Sequence, residues 1–139
     1  FVRFFRGHLD LGLPEDKRYF RWLDSGDIQS VEMLADIVKI ARRVPEIQFW
    51  LPTREIGMVK EYLFTSPHIP DNICIRLSAN QVGRKRPASI SILHPRLSDS
   101  TVDYFDEEYE ECPAPEQDNS CGDCRKCWTP AAKVGYHKH

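Results

Sequence analysis

No apolar run in this 139-residue chain is long enough to cross a bilayer, and no signal-peptide pattern opens it. The sequence therefore predicts no membrane span and a cytoplasmic location. Excess charge is missing too. Nineteen Lys and Arg stand against 21 Asp and Glu, a formal net charge of −2, which leaves no global electrostatic case for nucleic acid or a membrane surface. One basic run, Arg84-Lys85-Arg86, lacks interleaved aromatics and does not make that case alone. No sequence repeat is evident. An initiator Met is absent as well. Phe1, Val2, Phe5 and Leu9 recur at helical spacing from the first residue, so the sequence reads as a piece that begins inside a helix.

What is present fits one globular domain, with 41% apolar and 29% charged residues. Residues 1–11 read as an amphipathic helix stopped by Gly12 and Pro14. An aromatic strand over 19–23 leads to the turn Asp24-Ser25-Gly26-Asp27. Ser30 is a natural N-cap for a helix whose apolar face holds Val31, Leu34, Val38 and Ala41, closed by Pro45. A strand over 47–51 ends at Pro52-Thr53-Arg54-Glu55, and Thr53 caps a helix with Ile56, Val59 and Leu63 on its face. A third strand is expected over 73–77 and a fourth over 89–93, ending at His94-Pro95. Strands alternating with helices of this length imply right-handed βαβ crossovers, hence an α/β fold with a parallel sheet or partial barrel of βα units.

In such sheets ligands bind outside the carboxyl ends of the strands. Asp24, Asp27, Arg54 and Glu55 are the catalytic candidates there, with Ser25, Thr53, Ser78, Asn80 and His94 on the same expected edge. Arg54 is the expected partner of Asp24 or Asp27, because an Arg fork matches a carboxylate. The plainer reading is that strands end in polar loops everywhere and that Ser30 and Thr53 are only helix caps.

After Pro95 the character changes. Residues 1–98 read as the α/β core, and 99–139 as an acidic linker with a Cys-rich, irregular, metal-binding tail packed on it as one domain. The acidic stretch 99–111 reads as a solvated helix or loop rather than a dedicated cation or partner site. The tail has little periodicity and needs a crosslink or a metal to order it.

Four of the five cysteines lie within that tail: Cys112-Pro113, then Cys121, Cys124 and Cys127 in two Cys-x-x-Cys steps sharing Cys124. A Cys-x-x-Cys-x-x-Cys run with a distant Cys-Pro is the wrapping used by iron–sulfur clusters, whereas structural zinc more often takes two separate two-ligand knuckles. All four cysteines are candidate metal and cofactor ligands, for a 4Fe-4S cluster first, zinc second and disulfides third. Gly122 permits a tight bend, and Arg125 and Lys126 offset thiolate charge. His137 and His139 are lesser candidates. Cys74, inside an apolar run, reads as a small buried hydrophobe.

The motifs Arg21-Trp22-Leu23-Asp24-Ser25-Gly26-Asp27, Phe49-Trp50-Leu51-Pro52-Thr53-Arg54, Arg76-Leu77-Ser78-Ala79, Cys112-Pro113-Ala114, Cys121-x-x-Cys124-x-x-Cys127-Trp128 and Val134-Gly135-Tyr136 resemble a bacteriophage and prophage family, the "gene product 88"-like proteins. The likeness runs from about residue 19 to the C-terminus. It implies a viral protein of the host cell cytoplasm and carries no reaction with it. Members of the family usually carry a His where this chain has Leu23, and an upstream segment with further cysteines. A weaker likeness, of layout alone, is to radical S-adenosylmethionine enzymes: Ser25-Gly26-Asp27 sits where their Gly-Gly-Glu motif would, but their Cys-x-x-x-Cys-x-x-Cys motif is missing.

Two functions follow. One is a metal-cluster enzyme or enzyme-derived protein with a small polar ligand at the strand ends. The other is a non-catalytic interaction module, stapled by zinc, that contacts a host protein. Openness of the metal site separates them.

Overall fold

The computed structural model describes residues 2–10 (8–10 without their side chains), 12, 18–23, 26–79, 81–85 and 92–137. Helix α1 spans Val2–Asp10, followed by strand β1 Tyr19–Arg21, helix α2 Val31–Arg43, strand β2 Gln48–Thr53, helix α3 Ile56–Thr65 and strand β3 Ile73–Ser78. Strands β4 Leu97–Val102, β5 Tyr109–Glu111 and β6 Lys133–Tyr136 complete the chain, with short 3-10 turns at Ala114–Glu116 and Lys126–Trp128. Every strand pair is parallel, in the order β1-β2-β3-β4-β6-β5.

Local signals explain the helices. Ser30 caps α2 by accepting from Met33 N at 3.0 Å, and Leu34, Ile37, Val38 and Ala41 face the core. The far end of α2 is held by a side chain the sequence did not flag. The buried Asn72 amide donates to the carbonyls of Ala41, Val44 and Ile47 at 2.8, 3.1 and 2.9 Å, closing the helix end onto the start of β3. Thr53 is not the N-cap of α3, since Glu55 holds that position without a side-chain bond. The Thr53 hydroxyl instead accepts from Glu55 N at 3.0 Å, one step before the helix.

Alternation along the strands gives the sheet two unlike faces. Phe49 and Leu51 of β2, Ile73, Ile75 and Leu77 of β3, and Leu97 of β4 pack with α2 and α3 in one large apolar core, which Phe5 of α1 joins. The other face carries Trp50, Cys74, Arg76, Ser98 and Val134. It is concave. Trp50 on β2 stacks on Tyr136 on β6, ring centroids 6.3 Å apart, although three inter-strand steps separate them. A flat sheet would set those strands about 14 Å apart, so the sheet curls into half a barrel.

Of the strand expected over 89–93, residues 89–91 lie outside the described set and Ile92 and Leu93 sit in an exposed turn; the strand that pairs with β3 on that side is Leu97–Val102. Nor is 99–111 a solvated helix or loop throughout. Asp99 and Thr101 are fully buried in β4, and Tyr109 is buried in β5. The tail after residue 98 is not wholly irregular either, because β4 crosses that position and β5 and β6 extend the sheet.

Gly135 shows how tightly β6 is enclosed. A Cβ there would fall 2.7 Å from both the Tyr104 carbonyl oxygen and Phe105 Cδ1. Because one of these atoms is backbone, Gly135→Ala should destabilise the fold by roughly 1–3 kcal/mol, the usual cost of overpacking. Chemical denaturation measures this, and an unchanged midpoint would mean that the 103–108 loop yields freely.

Candidate functional site

The carboxyl edge of β1–β3 gathers several of the expected residues, in a different manner from that expected. Asp27 takes a 2.5 Å bond from the Thr53 hydroxyl on Oδ1 and a 2.8 Å bond from Arg54 N on Oδ2, while Ile28 N also donates to Oδ1 at 2.8 Å. Arg54 thus meets Asp27 through its backbone N–H and not through a guanidinium fork, while the alternative partner, Asp24, lies outside the described residues. Both Asp27 oxygens are engaged in joining the β1–α2 loop to the end of β2. Ser78 bonds Ser100 across β3 and β4 at 3.1 Å. Glu55 is exposed at the start of α3. His94 is not on this edge. It precedes β4, where its Nδ1 accepts from Arg96 N at 3.0 Å, which places it at the amino end. Asp24, Ser25 and Asn80 lie outside the described residues. Leu23, just before the turn, has φ +56°, a left-handed conformation that His tolerates better than Leu.

The cysteine segment lies elsewhere, across the concave face, and strand order explains why. From β1 to β4 the chain steps one way along the sheet with its helices on one side; from β5 to β6 it steps back. A right-handed crossover taken in the reverse direction must pass over the opposite face. Residues 112–132 do so, and Cys127, Trp128 and Cys112 pack on Trp50, Val134 and Tyr136 in a second apolar cluster. Trp128 donates from Nε1 to the Phe20 carbonyl at 3.2 Å and meets Tyr19 and Trp50 edge-on at 5.5 and 5.3 Å.

Arg76 fastens this arm. Its side chain, fully buried in the middle of β3, spreads its donors over the arm's backbone: Nη2 to the carbonyls of Lys126 and Thr129 at 2.9 and 3.0 Å, and Nη1 to Ala132 at 2.6 Å. Nη1 also donates to the Asp99 carbonyl at 3.0 Å and to Ser98 Oγ at 3.1 Å. No carboxylate is among its partners within the described residues. A buried cation solvated by neutral acceptors, carbonyls and the Ser98 hydroxyl, leaves a positive field under the arm.

Cys112, Cys121, Cys124 and Cys127 line one small cavity of about 10 Å³, walled otherwise by Pro113, Ala114, Lys126, Trp128 and Val134. All five cysteines of the chain are free thiols. Cys74 is fully buried in β3 and does not line this cavity. Burial pushes the Cys127 thiol up to about 11, and the neighbouring Cys112 and Cys121 add to this. Against them work the Tyr136 hydroxyl, 2.8 Å from the Cys127 sulfur, and the Arg76 charge. Cys121 is raised by burial and then by Cys112 and Cys124, so the thiols oppose one another's ionisation. Among the described residues, no three His, Cys, Asp or Glu side chains group as they would around a single metal ion. His137 is engaged by Glu111 at 2.5 Å. His139 lies outside the described residues.

Gly122 has φ +53°, and a Cβ there would come 3.2 Å from Gln117 Nε2, which itself donates to the carbonyls of Ser120 and Cys121 at 3.0 and 3.2 Å. The bend before Cys124 therefore depends on that glycine.

Part of the acidic stretch is paired with this chain's own lysines. Lys85 pairs with Glu108 and Asp106, Lys133 with Glu108, and Lys126 with Glu110. Lys85 of the basic run is thereby committed to this chain's own carboxylates. No helix among the described residues is long and apolar enough to cross a membrane.

No curated protein and no solved structure matches the chain. The family model described as Gene product 88 matches residues 10–130, most of the chain, and the protein belongs to that bacteriophage family.

Proposed function

We propose that this gene product 88 protein is a metal-binding protein of the host cell cytoplasm, with an iron–sulfur cluster of the 4Fe-4S type on Cys112, Cys121, Cys124 and Cys127. The observation that carries the reading is that all four thiols line one cavity, with no carboxylate or imidazole among the described residues of its walls. A purely sulfur donor set selects zinc or iron–sulfur centres over hard cations. Zinc–thiolate bonds of about 2.3 Å require sulfurs about 3.8 Å apart. Two Cys-x-x-Cys steps with a distant Cys-Pro favour a four-iron cluster over zinc, which more often takes two separate two-ligand knuckles.

The surroundings suit an anionic centre. Arg76 supplies a buried positive charge beneath the arm, and Lys126 lines the cavity. The cavity itself admits only one water-sized sphere, so a cluster would seat by displacing the exposed stretch 115–123 outward. When bound, a cluster of this kind supplies one-electron transfer. Tyr136 would then donate its hydroxyl hydrogen bond to the ligand sulfur of Cys127, a contact of the kind that tunes such centres.

Anaerobically purified protein should be brown, with broad absorbance near ~400 nm and on the order of four irons and four acid-labile sulfides per chain. Colourless protein with one zinc would replace the cluster by a zinc staple on the same ligands, and metal-free protein after reconstitution would remove the reading.

A further inference from the structure

We infer that the indole N–H of Trp50 is a hydrogen-bond donor to a ligand sulfur of the metal centre, so that Trp50 serves beside Tyr136 as a positioning residue. The inference rests on the four-cysteine ligand set argued above and names a side chain that set does not contain.

A second cavity, of about 170 Å³, lies beside the cysteines, and Trp50 and Tyr136 line it together with Cys112, Cys121 and Cys127. Trp50 belongs to β2 and is 4% exposed. Its ring packs with Cys127 and Val134, stacks on Tyr136 at 12° and meets Trp128 edge-on, so neighbours from the arm and from β6 fix its orientation. The Trp50 Nε1–H finds no acceptor among the described residues, and less than 1 Å² of that nitrogen is exposed, so water does not reach it. A buried donor in this state costs stability, and native structures keep few of them. Trp128 shows the contrast, since its own indole N–H is accepted by the Phe20 carbonyl.

The acceptor therefore has to come from the cavity wall, and sulfur is what the wall offers. Asn119 is exposed, and His137 is engaged by Glu111. Cys112 and Cys127 pack in the same apolar cluster as Trp50. A neutral thiol is a weak acceptor, and none of these accepts from Trp50 here. A metal-bound thiolate carries charge and takes N–H bonds readily. Backbone donors beside the ligands are already spent. Cys112 N bonds the Gly135 carbonyl and Cys124 N the Cys121 carbonyl, both at 2.9 Å, and Gly122 N bonds Ser120 Oγ at 3.3 Å. Side chains are left to supply the bonds that steady ligand sulfurs and stabilise negative charge on such centres. Tyr136 reaches the Cys127 sulfur at 2.8 Å, and Trp50 is the second donor.

Nitrogen-15 NMR of the full chain, loaded anaerobically with cadmium-113 as a spin-active metal for thiolate ligands, tests this. The chain has three indole resonances. Loss of one in Trp50→Phe assigns Trp50, and where that variant fails to fold, Trp22→Phe and Trp128→Phe assign it by elimination. On loading, the Trp50 indole proton should move downfield and exchange with solvent at least about tenfold more slowly. It should also show a scalar coupling to cadmium, which crosses a hydrogen bond to a ligand sulfur and which a packing role alone does not produce. Cadmium bound without coupling to Trp50 would overturn this inference and leave the ligand set standing. A chain that takes up no cadmium would overturn both. Iron and zinc are assayed on the protein as purified, so zinc in place of iron would count against the cluster while the coupling still decides the role of Trp50.

Discussion

Arg76→Met should release the cysteine arm from the sheet and lower stability by roughly 3–5 kcal/mol. The substitution keeps an unbranched stem of similar reach and removes every donor. It removes the charged donor from the carbonyls of Lys126, Thr129, Ala132 and Asp99, which Arg76 now holds at 2.6–3.0 Å. Thr129 N, Ala132 N and Ser98 Oγ still donate to the first three, so the loss is that of hydrogen bonds to a charged group, about 1.5–3 kcal/mol each before water repairs some of them. The melting temperature should fall by on the order of 10 °C for a chain of this size. The loss should also be local first. Trypsin should cut at Arg125 and Lys126, at the 3-10 turn that Arg76 holds, before it attacks the core of α2, β2 and β3. Arg76→Lys should recover little, because one ammonium cannot span carbonyls on both sides of the arm. Unchanged melting together with an unchanged cleavage pattern would show that the apolar cluster of Trp50, Cys127 and Val134 holds the arm by itself.

Arg76 was also the plainest signal left unused in the sequence. A single arginine inside Ile-Cys-Ile-Arg-Leu-Ser has to find several acceptors once the strand is buried, and its own neighbours offer none. The residues that supply them, 126–132, carry no pattern that announces contact with a strand fifty positions earlier. Local features were legible for the opposite reason. Ser30 and Pro45 bracket α2 through bonds within one turn, and the runs around Phe49 and Ile75 are apolar because both faces of those central strands are covered. Strand β4 was illegible because it reads Leu-Ser-Asp-Ser-Thr-Val, and its buried hydroxyls serve the arm and the adjacent loop. Ser98 donates to the Ala132 carbonyl at 3.0 Å and Thr101 to the Tyr104 carbonyl at 2.7 Å. The alternating Ser-Ile-Ser-Ile-Leu just upstream was the better strand on paper. Of the catalytic candidates, Asp27 and Arg54 do meet at the strand ends, but as a latch between loops. Neither Asp27, Arg54 nor Glu55 lines the two cavities beside the cysteines. The reversal of strand order that puts the cysteines on the concave face depends on β5 and β6, three and four residues long, too short for periodicity to reveal.

Replacing Cys124 with Ser should abolish metal binding, whereas Cys74→Ser should leave it intact. Cys124 belongs to both Cys-x-x-Cys steps, lines the cavity with the other three thiols, and bonds back to the Cys121 carbonyl through its own N–H at 2.9 Å. A hydroxyl in its place binds soft metals poorly and breaks the set at its centre. Iron should drop from about four per chain to well below one. Because ligand binding and ordering of an arm with so little apolar surface are one process, proteolysis within 112–132 should quicken at the same time. Cys74 is the control that gives this meaning. It is the fifth thiol and is fully buried one strand away, with its sulfur 3.8 Å from Arg76 Nη2 and outside the cavity. Ser at that position is close in size and keeps an acceptor near the guanidinium, so the fold should tolerate it at a cost of about 1 kcal/mol. Iron and zinc analysis of the two variants, purified side by side, checks the pair. Metal lost from Cys74→Ser but kept in Cys124→Ser would move the centre to the buried side of β3. Metal kept in both would mean that the 112–127 thiols are not its ligands, and Arg76 with the apolar cluster would then be sufficient reason for the arm to lie where it does.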